Sequence, residues 1–110
     1  LNLRVNHTLT MDGDVTARGG NWRSVSAGGG SGGTIMIQTY TIDGKGVIDA
    51  SGGDGYGGVY ASHGGGGGGG RITLYYNYNY YVGVFRNAGG KGGNSAEAGG
   101  AGTSYLQLLP

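Results

Sequence analysis

Apolar and polar residues alternate with a period of two in several short stretches of this chain, and nowhere with the 3.6-residue spacing of a helix. Leu1, Leu3 and Val5 alternate with Asn2 and Arg4; Ile35 and Ile37 alternate with Thr34, Met36 and Gln38; Ile72 and Leu74 alternate with Arg71 and Thr73. Alternation of this kind sends one row of side chains inward and the other outward, so each stretch predicts a half-buried β-strand. Glycine interrupts every window long enough for a helix. Asp12-Gly13 and Asp43-Gly44 fall where the chain must reverse, and Asp-Gly is the dipeptide that supplies positive φ in tight turns. Residues 34–42 and 46–50 therefore read as a hairpin or as two flats of a solenoid coil, and the pattern leaves both open.

The pattern recurs. Val15-Thr16-Ala17-Arg18-Gly19-Gly20, Ile48-Asp49-Ala50-Ser51-Gly52-Gly53 and Phe85-Arg86-Asn87-Ala88-Gly89-Gly90 each carry a short strand into paired glycines, 33 residues apart from Gly19 to Gly52 and 37 from Gly52 to Gly89. A second landmark, glycine followed by a strand, opens at Gly33, Gly70 and Gly102. Such spacing marks stacked repeats. One repeat domain over residues 1–110 is expected, with units at about 1–33, 34–70 and 71–102 and a partial unit at 103–110. Its ends look cut from a longer series or completed by a neighbour, as does a start at Leu1. The fold class is all-β, a glycine-rich β-solenoid or stacked hairpins, with essentially no helix.

Thirty glycines in 110 residues leave little side-chain volume for a core, and there is no cysteine to compensate with disulfides or thiolate metal sites. Disorder would be the simplest reading of so much glycine. Disordered chains, however, are rich in charge and poor in aromatics, while here charged residues are 12% and aromatics 10%. The glycine is also confined between patterned strands. Ordered glycine runs must pack backbone on backbone, as polyproline-II segments or tight loops bonded to neighbouring chain. Collagen does not fit, since Gly does not recur at every third residue and Pro110 is the only proline. Within residues 64–70, an inner position such as Gly67 is expected to tolerate no side chain.

The tyrosines are the most distinctive side chains. Strict alternation through residues 75–81 puts Tyr76, Tyr78 and Tyr80 on one face and Asn77, Asn79 and Tyr81 on the other. The first face is read as a packing or assembly element that covers thin glycine layers; the alternative is an aromatic ladder for sugar stacking or subunit contact. Trp22, Tyr56 and Tyr60 fall in the inserts between glycine runs and read as surface contacts. Asn6-His7-Thr8 is the only N-glycosylation sequon, making Asn6 a candidate modification site.

Other chemistry finds no support. His7 and His63 have no sequence-level catalytic partner, and no Ser nucleophile motif is present, so no catalytic residue is assigned. The Asp residues near 12–14 and 43–49 lack a fixed repeat spacing and read as turn formers, not calcium ligands. Residues 64–70 lack the Lys-Ser/Thr of a phosphate loop and precede a strand. No cofactor and no metal are expected. A formal charge of +1 with seven scattered cationic residues gives no footprint for nucleic acid, and no apolar run approaches a membrane span.

The succession Gly28-Gly29-Gly30-Ser31-Gly32-Gly33-Thr34-Ile35, then Gly46-Val47-Ile48-Asp49-Ala50-Ser51-Gly52-Gly53, then Gly69-Gly70-Arg71-Ile72-Thr73-Leu74 resembles the glycine-rich β-strand repeats of large secreted and cell-surface proteins. It is more distantly similar to the glycine-rich domain of anaplastic lymphoma kinase-type receptors. That resemblance implies packed polyproline-II glycine runs anchored on strands, a secreted or cell-surface location and a non-enzymatic role. The expected function is a structural subunit or repeat module of an extracellular filament, sheath or matrix, partnered by copies of itself. The rival is a cell-surface, adhesin-like module that grips glycans or protein through exposed aromatics.

Overall fold

The structure, a computed structural model, describes residues 1–58 and 63–110. Among the described residues eight strands follow one another: β1 (Asn2–Thr10), β2 (Asp14–Thr16), β3 (Thr34–Gly44), β4 (Val47–Asp49), β5 (Arg71–Tyr76), β6 (Tyr78–Tyr81), β7 (Val84–Arg86) and β8 (Thr103–Leu108). All of their ladders are parallel. One sheet runs β1-β3-β5-β8 with β6 also on β3, and a smaller one runs β2-β4-β7. A hairpin would pair β3 with β4 antiparallel. Instead each strand pairs with its equivalent one coil away, and the chain is a β-solenoid of about three turns.

The alternating residues stack in register. Leu3 lies beside Ile37, Ile37 beside Leu74, and Leu74 beside Leu106, one inward column through four successive passes of the chain. In the smaller sheet Val15, Ile48 and Phe85 form a second column. Between the sheets Ile35, Ile37, Ile42, Ile48, Ile72 and Leu74 are wholly buried, joined by Ala50 and Met11. The core is thus a thin band of branched aliphatics, the residue type that packs best on a pleated surface.

Strict alternation fails at one level of the stack. Thr39 and Ile42 are both buried although three residues apart, and Tyr40 between them is exposed. At the same level β1 shifts register between Val5 and Thr8, and the third coil breaks its strand at Asn77. The Thr39 hydroxyl, 2.9 Å from the His7 carbonyl and 3.0 Å from the Thr41 carbonyl, supplies the buried partner that a departure from ladder geometry requires. Gly44 then closes the turn at φ 111°, with its α-carbon so close to the Met11 backbone that a side chain has no room.

Beyond the core the glycine segments form a bundle of their own. Each coil sends one segment out after its short strand and brings another back before the next long strand. Between coils the hydrogen bonds run in parallel at every third residue: the Gly19 N–H donates to the Ser51 carbonyl (2.8 Å) and Trp22 to Asp54 (2.9 Å), Gly29 to Gly65 (2.9 Å) and Gly32 to Gly68 (2.8 Å). Across the two layers they run antiparallel, Gly30 to Gly20 and Gly33 to Ala17, both 2.7 Å. A polyproline-II helix has three residues per turn and no internal hydrogen bonds, so every third N–H faces the same neighbour. The glycine N–H groups of the bundle thus find their acceptors on neighbouring backbone. No helix of the described residues is long and apolar enough to cross a membrane.

Candidate packing and assembly surfaces

Gly67 sits where the bundle is tightest. A Cβ built on it would overlap the Gly30 carbonyl group, whereas one on its neighbour Gly68 would meet nothing closer than the Gly100 oxygen at 3.9 Å. The atoms nearest to a Cβ on any of residues 64–70 are backbone, with no tyrosine among them. The glycine layers cover each other, and the expectation that Tyr76, Tyr78 and Tyr80 cover them is corrected.

Nor do those three tyrosines share a face. The break at Asn77 changes the phase between β5 and β6, so Tyr76 packs against the aliphatic core while Tyr78 and Tyr80 remain 50% and 63% exposed. Tyr81, assigned by alternation to the opposite face with the asparagines, also packs on the core; its hydroxyl donates to the Gly46 carbonyl at 2.6 Å, and its ring meets Phe85 edge-on at 5.4 Å. Burial, with a smaller push from the Asp14 carboxylate, raises the Tyr81 phenol above its ordinary range despite an opposing influence of the Val84 backbone. Tyr78 instead leans on Tyr40 of the coil below, ring centroids 5.3 Å apart, and the Tyr78 hydroxyl raises the Tyr40 phenol. The sequence reading did not single out Tyr40; its signal was a second aromatic near one period before Tyr78.

The two rings should respond differently to truncation. Tyr76→Ala is expected to cost about 3 kcal/mol, as for other core aromatics, and Tyr78→Ala about 0.5 to 1 kcal/mol for the lost ring pair. Urea melts of the two variants check this. Equal losses would contradict the divided strand.

Trp22 stands 44% exposed, and its ring meets Tyr56 edge-on at 4.9 Å. Tyr56 itself is 6% exposed, so its expected place at the surface is corrected: its ring lies against Gly58, where a side chain would collide with it, and meets Trp22. Tyr60 lies outside the described residues. Asn6 is exposed on β1 within the register shift and is open to modification. His63 has a buried Nδ1 without a partner beside the Gly93 segment. Among the described residues no cluster of His, Cys, Asp or Glu could hold a metal ion.

On the outer side of the small sheet Thr16, Asp49 and Arg86 stand in register. Burial alone would raise the Asp49 carboxyl, but the Ser51 hydroxyl (2.6 Å) and N–H (2.9 Å), with Arg18 and Arg86 nearby, outweigh it and hold the group below the usual carboxylate range. A carboxyl depressed in the folded state stabilises above its unfolded pKa, and that contribution is lost as pH falls through the folded value. Below about pH 4, therefore, the parent is expected to lose thermal stability more steeply than Asp49→Asn. Melting curves between neutral pH and pH 2 for both proteins check it. Further out, the side chains of Asn21 and Asp54 bond upward to the backbone N–H of Asp54 and Lys91, at 2.9 Å and 2.8 Å, stitching successive coils.

Comparison of the chain with protein-family models, with curated proteins and with solved structures gives no match.

Proposed function

We propose that this chain is a non-enzymatic structural module of an extracellular filament, sheath or matrix, working by stiffness and by association with copies of itself. One observation carries the reading: the glycine-rich segments of successive coils are bonded backbone to backbone in two directions, between coils and between layers. The whole forms a long, thin body, 53 × 23 × 19 Å. Structure of this kind serves through extent and continuity. The strand edges support self-association. β1 and β8 each leave one side unpaired, and β8 exposes Tyr105, Leu106 and Leu108. An exposed sequon at Asn6 and the resemblance to secreted glycine-rich repeats support an extracellular setting.

The exposed rings of Trp22, Tyr78 and Tyr80 favour a second reading, an adhesin-like surface for glycans or protein. Sedimentation of the full chain at micromolar concentration, together with a glycan array, separates the two. Self-association without glycan retention is the expected result. A monomer that retains a glycan, and loses it in Tyr80→Ala or Trp22→Ala without loss of stability, would replace the structural reading by the adhesin one.

A further inference from the structure

Tyr40 and Tyr78 meet where the ladder between the second and third coils is interrupted. Gln38 pairs with Tyr75 and Thr41 with Tyr78, and in the gap between these pairs the Asn77 N–H donates to the Tyr40 carbonyl at 3.0 Å. Backbone on both sides of the two tyrosines is therefore tied across the coils, one residue out of register. Their α-carbons cannot drift apart along the stack, while their side chains, each 50% exposed, stay free to turn.

The rings themselves converge. Their centroids lie 5.3 Å apart at 65°, toward the short end of the range of about 4.5 to 7 Å over which aromatic side chains pair. The Tyr78 hydroxyl is close enough to raise the Tyr40 phenol, so the polar ends of the two rings face each other. The Cε carbons adjoin the carbon that bears the hydroxyl, and they are where phenoxyl radicals couple. No other ring pair among the described residues offers the same. Tyr75 and Tyr105 stand 6.5 Å apart with Tyr75 half-buried, Tyr81 meets Phe85, which has no phenol, and buried Tyr56 meets Trp22.

We infer that Tyr40 and Tyr78 are a site of oxidative cross-linking, joined Cε to Cε as a dityrosine that staples the second coil to the third. The oxidant is hydrogen peroxide acting through a haem peroxidase. Each phenol gives up one electron and its hydroxyl proton. The two radicals pair their odd electrons in a new Cε–Cε bond, and the hydrogen on each coupled carbon then moves to the phenolic oxygen, restoring both hydroxyls and both aromatic rings. The two electrons and two protons released reduce one hydrogen peroxide to two waters. Rings held on bonded backbone meet at an effective concentration of about millimolar or more, against micromolar between chains. Coupling within the chain therefore outruns coupling between chains. The chain has no cysteine, and this bond closes a loop of about 40 residues as a disulfide would, at a level where the ladder is interrupted. The site goes beyond the structural reading and draws on its extracellular setting only for the oxidant, which the experiment supplies.

Treatment of the full chain, at low micromolar concentration, with a haem peroxidase and hydrogen peroxide tests it. Tyr40→Phe and Tyr78→Phe serve as the variants, since each keeps the ring and its packing but cannot form a phenoxyl radical. The parent is expected to give dityrosine fluorescence from a single-chain product lighter by two hydrogens, with a peptide map that joins residue 40 to residue 78. That product is expected to melt about 10 °C or more above the untreated chain. In either variant the single-chain product is expected to fall at least about tenfold, with no rise in melting temperature. Dityrosine that forms equally in the variants, joins other residues, or forms only between chains would overturn the inference. So would an unmodified pair in the peptide map of the chain isolated from its natural source. Each of these failures leaves the structural reading standing, because that reading is decided separately by sedimentation of the untreated chain.

Discussion

Gly67→Val is expected to lose at least about 3 kcal/mol of stability, the upper end of what overpacking costs. The side chain would enter the Gly30 carbonyl, and the obstructing atoms are backbone that is itself bonded to Gly20 and Gly53. No rotamer relieves the overlap. Two coils must separate or the segment must leave the bundle, and either breaks hydrogen bonds at neighbouring third-residue positions. Elsewhere in the bundle an added methyl group should be harmless. Gly100, with no atom within 4 Å of its Cβ position, is expected to accept alanine with a gain of about 0.4 to 1 kcal/mol from the restricted unfolded chain. Denaturant melts of the two variants, read at the midpoint, test the contrast.

Ile37→Ala is expected to cost about 3 to 4 kcal/mol. Ile37 is fully buried in the middle of the column Leu3, Ile37, Leu74 and Leu106. Ladders on both sides hold its backbone, so the cavity cannot collapse. Leu106, at the end of the same column and 41% exposed, should lose only about 1 kcal/mol on truncation to Ala. A stack that depends on nearest-neighbour contacts between coils must show this gradient from middle to end. Equal losses at both positions would mean that the coils are not stacked in this register.

The strands were legible because each is a period-two signal anchored by Ile or Leu, and the coils were legible because the strand-to-glycine junction recurs near Gly19, Gly52 and Gly89. What the sequence hides, it hides for physical reasons. A hairpin and a solenoid use the same alternating strands, and only the partner of β3, which is β5 and not β4, separates them. Tyr40 and Asn77 carry no sign that the alternation changes phase beside them, so the tyrosines were placed on one face. Inside residues 64–70 every position is glycine, and nothing in that uniformity distinguishes crowded Gly67 from roomy Gly68. The interruptions do carry the signal: Ser31 stands in register with Gly68 and Gly100, and Glu97 with Gly28 and Gly65, positions where an added Cβ has room. Read together, these substitutions disclose a period of three. Tyr56 was misplaced because glycine-rich surroundings suggest a surface loop, whereas here the bare backbone of Gly58 leaves room for its ring.

The central claim is that the glycine segments are as firmly built as the strands. Amide hydrogen exchange followed residue by residue tests it most directly, since the N–H groups of Gly32, Gly53, Gly67, Gly69 and Gly90 each donate to a backbone carbonyl at 2.8 to 2.9 Å. The account predicts that these amides exchange as slowly as that of Ile37 and open in the same cooperative unit. Exchange of the five at the rate of an unstructured chain, with β3 still protected, would contradict it.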